Sequence, residues 1–389
     1  MSDNKINVGF FYRVLPHYRL PIMEELAKRP EIDLTVLYSK EPSWYSLKTV
    51  NPNGRFKSEL IEMRAWRLGN QEILYQPDAS RLIKSGRFDV VILPGNPRLL
   101  SNFPALWAAN KQRVGVVWWS LGLMANQSPV TIAIRRWLMH IPDAVVLYTT
   151  DERDYFVSRG VPPEKVFIAQ NTIDVTAERS AANAWNAELI DDFLAENGLS
   201  GKTLFLFCAR LRKIKRVDLL LRAMAILLRD RPDIHLVIIG EGELEAELKE
   251  LSAKLRLDGS ISWLGSIYEP QRLAPWYLSS KALVIPTGIG LAAFQSFAYG
   301  LPCITTSNRQ KQSPEASALL DGYNCLMFED ESIADMAEKM RLLASDRELQ
   351  QRLSVNARRT MEEEYTVDKM VNGFCEAIRY AKACVSRGC

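Results

Sequence analysis

At 389 residues, 47% of them apolar and 24% charged, the chain holds material for two to three domains of about 150 residues each and has ordinary globular composition, which excludes fibrous and disordered classes. The 49 basic and 46 acidic side chains leave a net charge of only +3, too balanced for a protein whose whole surface grips nucleic acid, so any anionic partner is met locally. No apolar run reaches the roughly 18 residues of a membrane-spanning helix, the start reads as a strand rather than a signal peptide, and no two cysteines have Cys-x-x-Cys spacing, so a cytoplasmic chain with reduced thiols and no zinc site is expected.

In chain order, short β-branched and aromatic runs predict strands at Asn7–Tyr12, Asp33–Ser39, Asp89–Pro94, Val114–Trp119, Ala144–Tyr148 and Val166–Ala169. Amphipathic stretches separate them, as repeated β/α/β units require. Asp174–Lys202 carries no strand pattern and is read as the domain join, with a hinge near residue 175. A second series follows at Leu204–Cys208, His235–Gly240, Ile261–Gly265, Ala282–Pro286, Pro302–Thr306 and Cys325–Phe328. The alternation predicts an α/β chain with two Rossmann-like domains, residues 1–175 and 176–365. The tail, residues 366–389, reads as a helix with Met370, Val371, Phe374, Ile378, Ala381 and Val385 on one buried face, packing back toward the N-terminal domain.

Two segments carry chemistry. From Arg210 to Arg216, directly after a buried strand, five of seven residues are basic. Cations beyond the carboxyl end of a strand in an open α/β sheet either meet an anion such as a diphosphate, with Arg210 and Lys215 the chosen pair, or form a solvated basic turn. The second segment, Pro286-Thr-Gly-Ile-Gly-Leu-Ala-Ala-Phe-Gln-Ser-Phe-Ala-Tyr-Gly-Leu-Pro302, is a strand end, a Gly288-x-Gly290 turn and a helix. Its glycines either expose backbone N–H groups to a phosphate or merely permit a tight crossover.

The order and spacing of Ala209-Arg-Leu-x3-Lys215, Ile239-Gly-Glu-Gly242, Trp263-Leu-Gly265, Gly288 to Pro302, Pro314-Glu315 and Leu320-Asp-Gly-Tyr-Asn324 resemble the C-terminal half of GT-B nucleotide-sugar glycosyltransferases, in particular family four. Gly160-Val-Pro-Pro-Glu-Lys-Val-Phe-Ile-Ala-Gln-Asn-Thr-Ile-Asp174 resembles that family's crossing segment, and His17-Tyr-Arg-Leu-Pro21 its first-loop pattern in polysaccharide-assembly members. The resemblance implies two Rossmann-like domains facing each other across a cleft and a donor site formed by Gly240, Gly242, Thr287, Gly288, Ile289, Gly290, Leu291, Gln295 and Glu315. It departs where the family carries two glutamates eight positions apart, here Thr287 and Gln295. Gln295 retains hydrogen-bonding capacity for a ribose, whereas Thr287 is shorter and neutral.

The implied activity is sugar transfer from a nucleotide diphosphate sugar to a glycan or lipid-linked acceptor in bacterial surface polysaccharide assembly, retaining and metal-independent, with no cofactor beyond the donor. Arg210 and Lys215 would stabilise the charge developing on the diphosphate. An inverting reaction would instead need a base among His17, Asp151 and Glu152. The rival readings are an inactive relative that binds nucleotide or a partner enzyme, and a nucleotide-sugar epimerase. His17 either caps the helix at Pro21 or faces the cleft, His140 completes an amphipathic helix, and Glu315 is either a surface carboxylate or an anion near the donor. Residues 130–140, with Arg135 and Arg136 among apolar side chains, suit either core packing or peripheral contact with the inner membrane. No nucleic-acid partner is expected.

Overall fold

Unbroken apolar runs such as Val90-Val-Ile-Leu93 and Leu204-Phe-Leu-Phe207 suit strands covered on both faces, and all their side chains are buried at the centres of two parallel sheets. In the computed structural model, which describes residues 5–45, 47–69, 71–120 and 129–387, the chain divides into two units. One comprises residues 1–174 with 367–389, the other residues 175–366.

The first unit contains β1 (Ile6–Val14), β2 (Ile32–Ser39), β3 (Lys57–Leu60), β4 (Arg64–Leu68), β5 (Gln71–Tyr75), β6 (Val90–Pro94), β7 (Gly115–Trp119), β8 (Ala144–Leu147) and β9 (Val166–Ile168). Seven of these form one sheet in the order β3-β2-β1-β6-β7-β8-β9, while β4 and β5 make a separate antiparallel hairpin. β3, β4 and β5 lie outside the strands predicted from the sequence. Their residues are mostly polar or exposed, because a sheet edge and a surface hairpin bury little, so they lack the apolar pattern on which that prediction depends.

Helix Val367–Arg387 returns to this unit. Met370, Val371, Phe374, Ile378 and Ala381 join a core with Val8, Phe10, Val36 and Trp119 on one face of the sheet. The other face is closed by a second core that includes Phe11, Val91, Val116, Trp118 and Phe156. Alternate strand residues thus feed opposite layers.

The second unit begins with helices Thr176–Asn183 and Ala187–Glu196, which occupy the stretch read as the domain join. It then runs through β10 (Thr203–Cys208), β11 (Ile234–Ile239), β12 (Ile261–Trp263), β13 (Ser280–Val284), β14 (Cys303–Thr306) and β15 (Cys325–Phe328). These pair in parallel in the order β12-β11-β10-β13-β14-β15. Each unit is therefore a Rossmann-like α/β domain.

Candidate functional site

Strand order decides where a ligand can enter the second unit. The chain winds outward from β10 to β12 and then crosses back to β13 on the opposite side of β10. Loops leaving the carboxyl ends of β10 and β13 consequently diverge around a crevice, the usual ligand position in such sheets. Both chemically informative segments leave those two strands.

Side chains lock the two loops together. The hydroxyl of Thr287 donates to the carbonyl of Ile214, and the ammonium of Lys215 donates to the carbonyl of Gly288. Thr287 is only 4% exposed. Burial pushes the half-buried Lys215 ammonium down to about 8, against the opposing influence of Glu315, while Arg212 adds to the depression. Glu315, on the turn Pro314–Ala318, is itself 8% exposed and thus not a surface carboxylate. Lys215, Thr287, Gly288 and Glu315 converge here.

Other cations of the basic loop have different employment. Arg216 binds both oxygens of Asp218 at 3.0 Å and reaches Glu331 at 3.4 Å, which fixes the start of helix Val217–Leu227. Arg210 follows β10 and is exposed.

Gly240 and Gly242 act through space rather than through a ligand contact. A Cβ on Gly240 would lie 2.0 Å from the Ala209 carbonyl oxygen, and one on Gly242 2.3 Å from that of Leu211. Their absence lets residues 209–211 run beside residues 239–241, with Ala209 N–H donating to Ile239 at 3.1 Å and Leu211 N–H to Glu241 at 3.0 Å. The glycines thus set the course of the basic loop.

Two of the backbone donors at residues 288–290 are engaged within the protein, which favours the tight-crossover reading for Gly288 and Ile289. Gly288 N–H donates to the Lys311 carbonyl at 3.0 Å, and Ile289 N–H to the Gln312 side-chain oxygen at 3.0 Å. Gln312 is held in turn by donating to the Thr305 hydroxyl at 2.7 Å. Gly288 and Gly290 adopt φ of 62° and 59°, the left-handed conformation that the turn requires. Leu291 is the N-cap of helix Ala292–Ala298, which carries Gln295. The Gln295 oxygen accepts from the Tyr277 hydroxyl at 3.1 Å. Neither Gln312 nor Tyr277 lies in a sequence motif, and their roles depend on partners 18 or more positions away.

In the first unit, His17 opens the short turn His17–Arg19 and is exposed. It does not cap the following helix, Leu20–Ala27, whose N-cap is Arg19 with no side-chain cap bond. Arg19 is buried, donating to Asn171 at 2.6 Å and lying 5.3 Å from the Trp119 and Tyr18 ring centres. Glu152 is also buried. It takes part in capping helix Thr150–Val157, its N–H bonded to Thr149 and its carboxylate to the Tyr148 N–H. Asp151 is exposed. His140 lies beyond helix Pro129–Leu138 and is exposed rather than completing it.

Comparison with known proteins bears on the family and the fold. Residues 20–172 match the model "Glycosyl transferase 4-like domain" and residues 190–360 the model "Glycosyl transferases group 1". The chain is 27% identical over 265 residues to a D-inositol 3-phosphate glycosyltransferase of Geodermatophilus obscurus, covering 63% of this chain and 55% of that protein. It is 28% identical over 177 residues to an uncharacterized glycosyltransferase of Haemophilus influenzae, covering 44% and 48%. The chain spans about half or less of the length of most curated relatives it matches. Its fold is similar to that of Anabaena HepE in complex with UDP (TM-score 0.73, 13% identity, 96% of this chain and 99% of that one). It is likewise similar to the lipopolysaccharide outer core galactosyltransferase WaaB (TM-score 0.68, 15% identity, 96% and 99%). Matches to both domain models, on two Rossmann-like units, establish that the chain belongs to the GT-B glycosyltransferases of the family-four type.

Proposed function

We propose that the protein transfers a sugar from a nucleotide diphosphate sugar to a glycan or lipid-linked acceptor in bacterial surface polysaccharide assembly. The observation that carries this reading is the convergence of Lys215, Glu315 and the Thr287–Gly288 turn where β10 and β13 diverge. A solved structure of HepE contains UDP, and WaaB is named for galactosyl transfer to lipopolysaccharide, which supports a uridine nucleotide as the first donor to test.

In this reading the diphosphate lies against Arg210 and Lys215. The bond between the anomeric carbon and the phosphate oxygen breaks while the acceptor oxygen bonds to the same face of that carbon. The acceptor's proton passes to the departing phosphate, so stereochemistry is retained without a protein nucleophile. Arg210 and Lys215 stabilise the charge growing on the leaving group, a role that needs no metal. Gln295 accepts a ribose hydroxyl beside Tyr277, and Glu315 faces the donor sugar. Gly240, Gly242, Ile289, Gly290 and Leu291 shape the pocket. The enzyme works at the cytoplasmic face of the inner membrane, touching it through residues 130–140.

A thermal-shift series of nucleotide sugars tests the donor: a ligand at about a hundredfold excess over Kd adds roughly 2.7 kcal/mol of apparent stability. Release of free nucleotide diphosphate with acceptor present and chelator in excess tests the reaction. A binding-only protein is favoured by one observation, that Thr287 is spent on Ile214 and offers no carboxylate. It would give the thermal shift without nucleotide release.

A further inference from the structure

The loops that leave the second sheet close into a ring. After β10, the Lys215 ammonium donates to the carbonyl of Gly288, which follows β13. The Gly288 N–H donates at 3.0 Å to the carbonyl of Lys311, on the turn Arg309–Lys311 after β14. The Lys311 ammonium reaches Asp330 at 2.8 Å and Glu331 at 2.7 Å, both in the loop after β15. Arg216, the chain neighbour of Lys215, meets Oε1 of the same Glu331 at 3.4 Å, so the ring ends where it began. Asp330 fastens it to the sheet by accepting from the buried Thr306 hydroxyl at 3.1 Å and from the Asn308 amide at 2.8 Å.

Two members of the ring are held in a costly backbone conformation. Arg216 and Glu331 have φ of 50° and 61°, the left-handed region that disfavours any residue with a Cβ. Among the described residues only five non-glycine residues have positive φ, and these two grip one another. The Glu331 side chain is 58% exposed, and exposed ion pairs add little to stability, so the contact does not offset the strain. Glycine would take this φ without cost. A glutamate kept there points to a use for its carboxylate.

We infer that Lys311 and Glu331 are positioning residues for sugar transfer: acting through Gly288 and Arg216, they fix the spacing of the loops after β10 and β13 and hold the Lys215 ammonium where the leaving diphosphate requires it. The inference rests on the donor site proposed above and names what sets its geometry. Lysine is a point charge on a flexible stem, and an ammonium aimed before the donor arrives loses less freedom when the charge develops. The Gly288 carbonyl aims it, and Lys311 holds Gly288. Lys311 and Glu331 need no contact with the donor for this role.

The test compares Glu331→Gly, Glu331→Gln and Lys311→Met in the full-length protein with Lys254→Met, which removes an exposed pair with Glu250 elsewhere in the second unit. Two quantities are read: hydrogen exchange of residues 285–291 in the free protein, and UDP affinity by titration calorimetry. Glu331→Gly relieves the left-handed backbone and should keep or raise Tm, yet exchange at 285–291 should accelerate and UDP should bind about threefold to tenfold more weakly. Glu331→Gln keeps an acceptor oxygen without the charge and should fall between Glu331→Gly and wild type. Lys311→Met combined with Glu331→Gln should bind UDP no more weakly than the worse single variant, because either cut opens the same ring. Lys254→Met should match wild type in both quantities. Unchanged exchange at 285–291, additive losses in the double variant, or affinity that merely follows Tm would overturn the inference. So would unchanged UDP affinity in variants of a wild type that binds UDP. A wild type that binds no nucleoside diphosphate would refute the donor assignment, and the positioning role with it, so the two failures remain distinguishable.

Discussion

Thr287 and Ile214 are joined by a hydrogen bond from the threonine hydroxyl to the isoleucine carbonyl, which tethers the loop after β13 to the loop after β10. With Lys215 donating back to Gly288, the tether is reciprocal. Thr287→Val keeps the shape and removes the hydroxyl. It should cost about 1 kcal/mol, lowering Tm by about 2–4 °C, and weaken nucleotide-sugar affinity. Thr287→Glu should destabilise more, because a buried carboxylate would face a carbonyl oxygen. Calorimetry of the two variants checks the order.

Lys215 would give the proposed donor site a pH dependence of definite sign. With its ammonium at about 8, the charged fraction falls from about nine-tenths at pH 7 to about one-tenth at pH 9. UDP affinity should therefore decline across that interval. Apparent stability of the free protein should move oppositely, rising from about pH 8 toward 10.5, because there the unfolded chain binds more protons than the folded one. Lys215→Arg, charged throughout, should flatten the binding profile, and titration calorimetry at several pH values would show it. Lys215→Ala should weaken UDP about ten- to a hundredfold through loss of a charge-assisted contact.

Gln295 is held by the Tyr277 hydroxyl, an interaction a carboxylate would also accept. Gln295→Glu should preserve the fold and strengthen nucleotide binding by about 0.5–1.5 kcal/mol, whereas Gln295→Leu should weaken it. Equal affinities across wild type and both variants, measured by calorimetry, would place the ribose elsewhere.

Close backbone approach makes Gly240 intolerant of a methyl group. Gly240→Ala puts a Cβ 2.0 Å from the Ala209 carbonyl at a φ of 139°, and should cost about 3 kcal/mol or more while displacing the basic loop. Gly259→Ala, with nothing within 4 Å, is the neutral control. Urea midpoints of the two variants should separate clearly.

His235 predicts acid sensitivity of the second unit. Burial, with a smaller contribution from Lys202, holds its imidazole below the ordinary 6.5, and Nε2 pairs with the Ser262 hydroxyl at 2.8 Å. As pH falls through about 6.5, the unfolded chain takes up the proton first, so stability is lost on acidification. His235→Gln should reduce the Tm difference between pH 7.5 and pH 5.5, as followed by circular dichroism.

The sequence by itself determined the alternation of buried strands and amphipathic helices, because burial on both faces of a parallel sheet demands apolar runs, as at β6, β7, β8 and β10. It also placed Arg210, Lys215 and the Gly288–Gly290 turn after strands, since those motifs are local. Tertiary structure alone decided what each does. Whether Lys215 reaches Gly288, whether Thr287 binds Ile214, and whether Gln312 takes the Ile289 N–H depend on which strands become neighbours, and adjacency of β10 to β13 is not written in any single segment. The same holds for the helix at residues 129–138. Its periodicity fits a buried or an exposed stripe equally well, and only packing of Leu138 and Met139 into the first unit turns Val130, Ile134 and Trp137 outward.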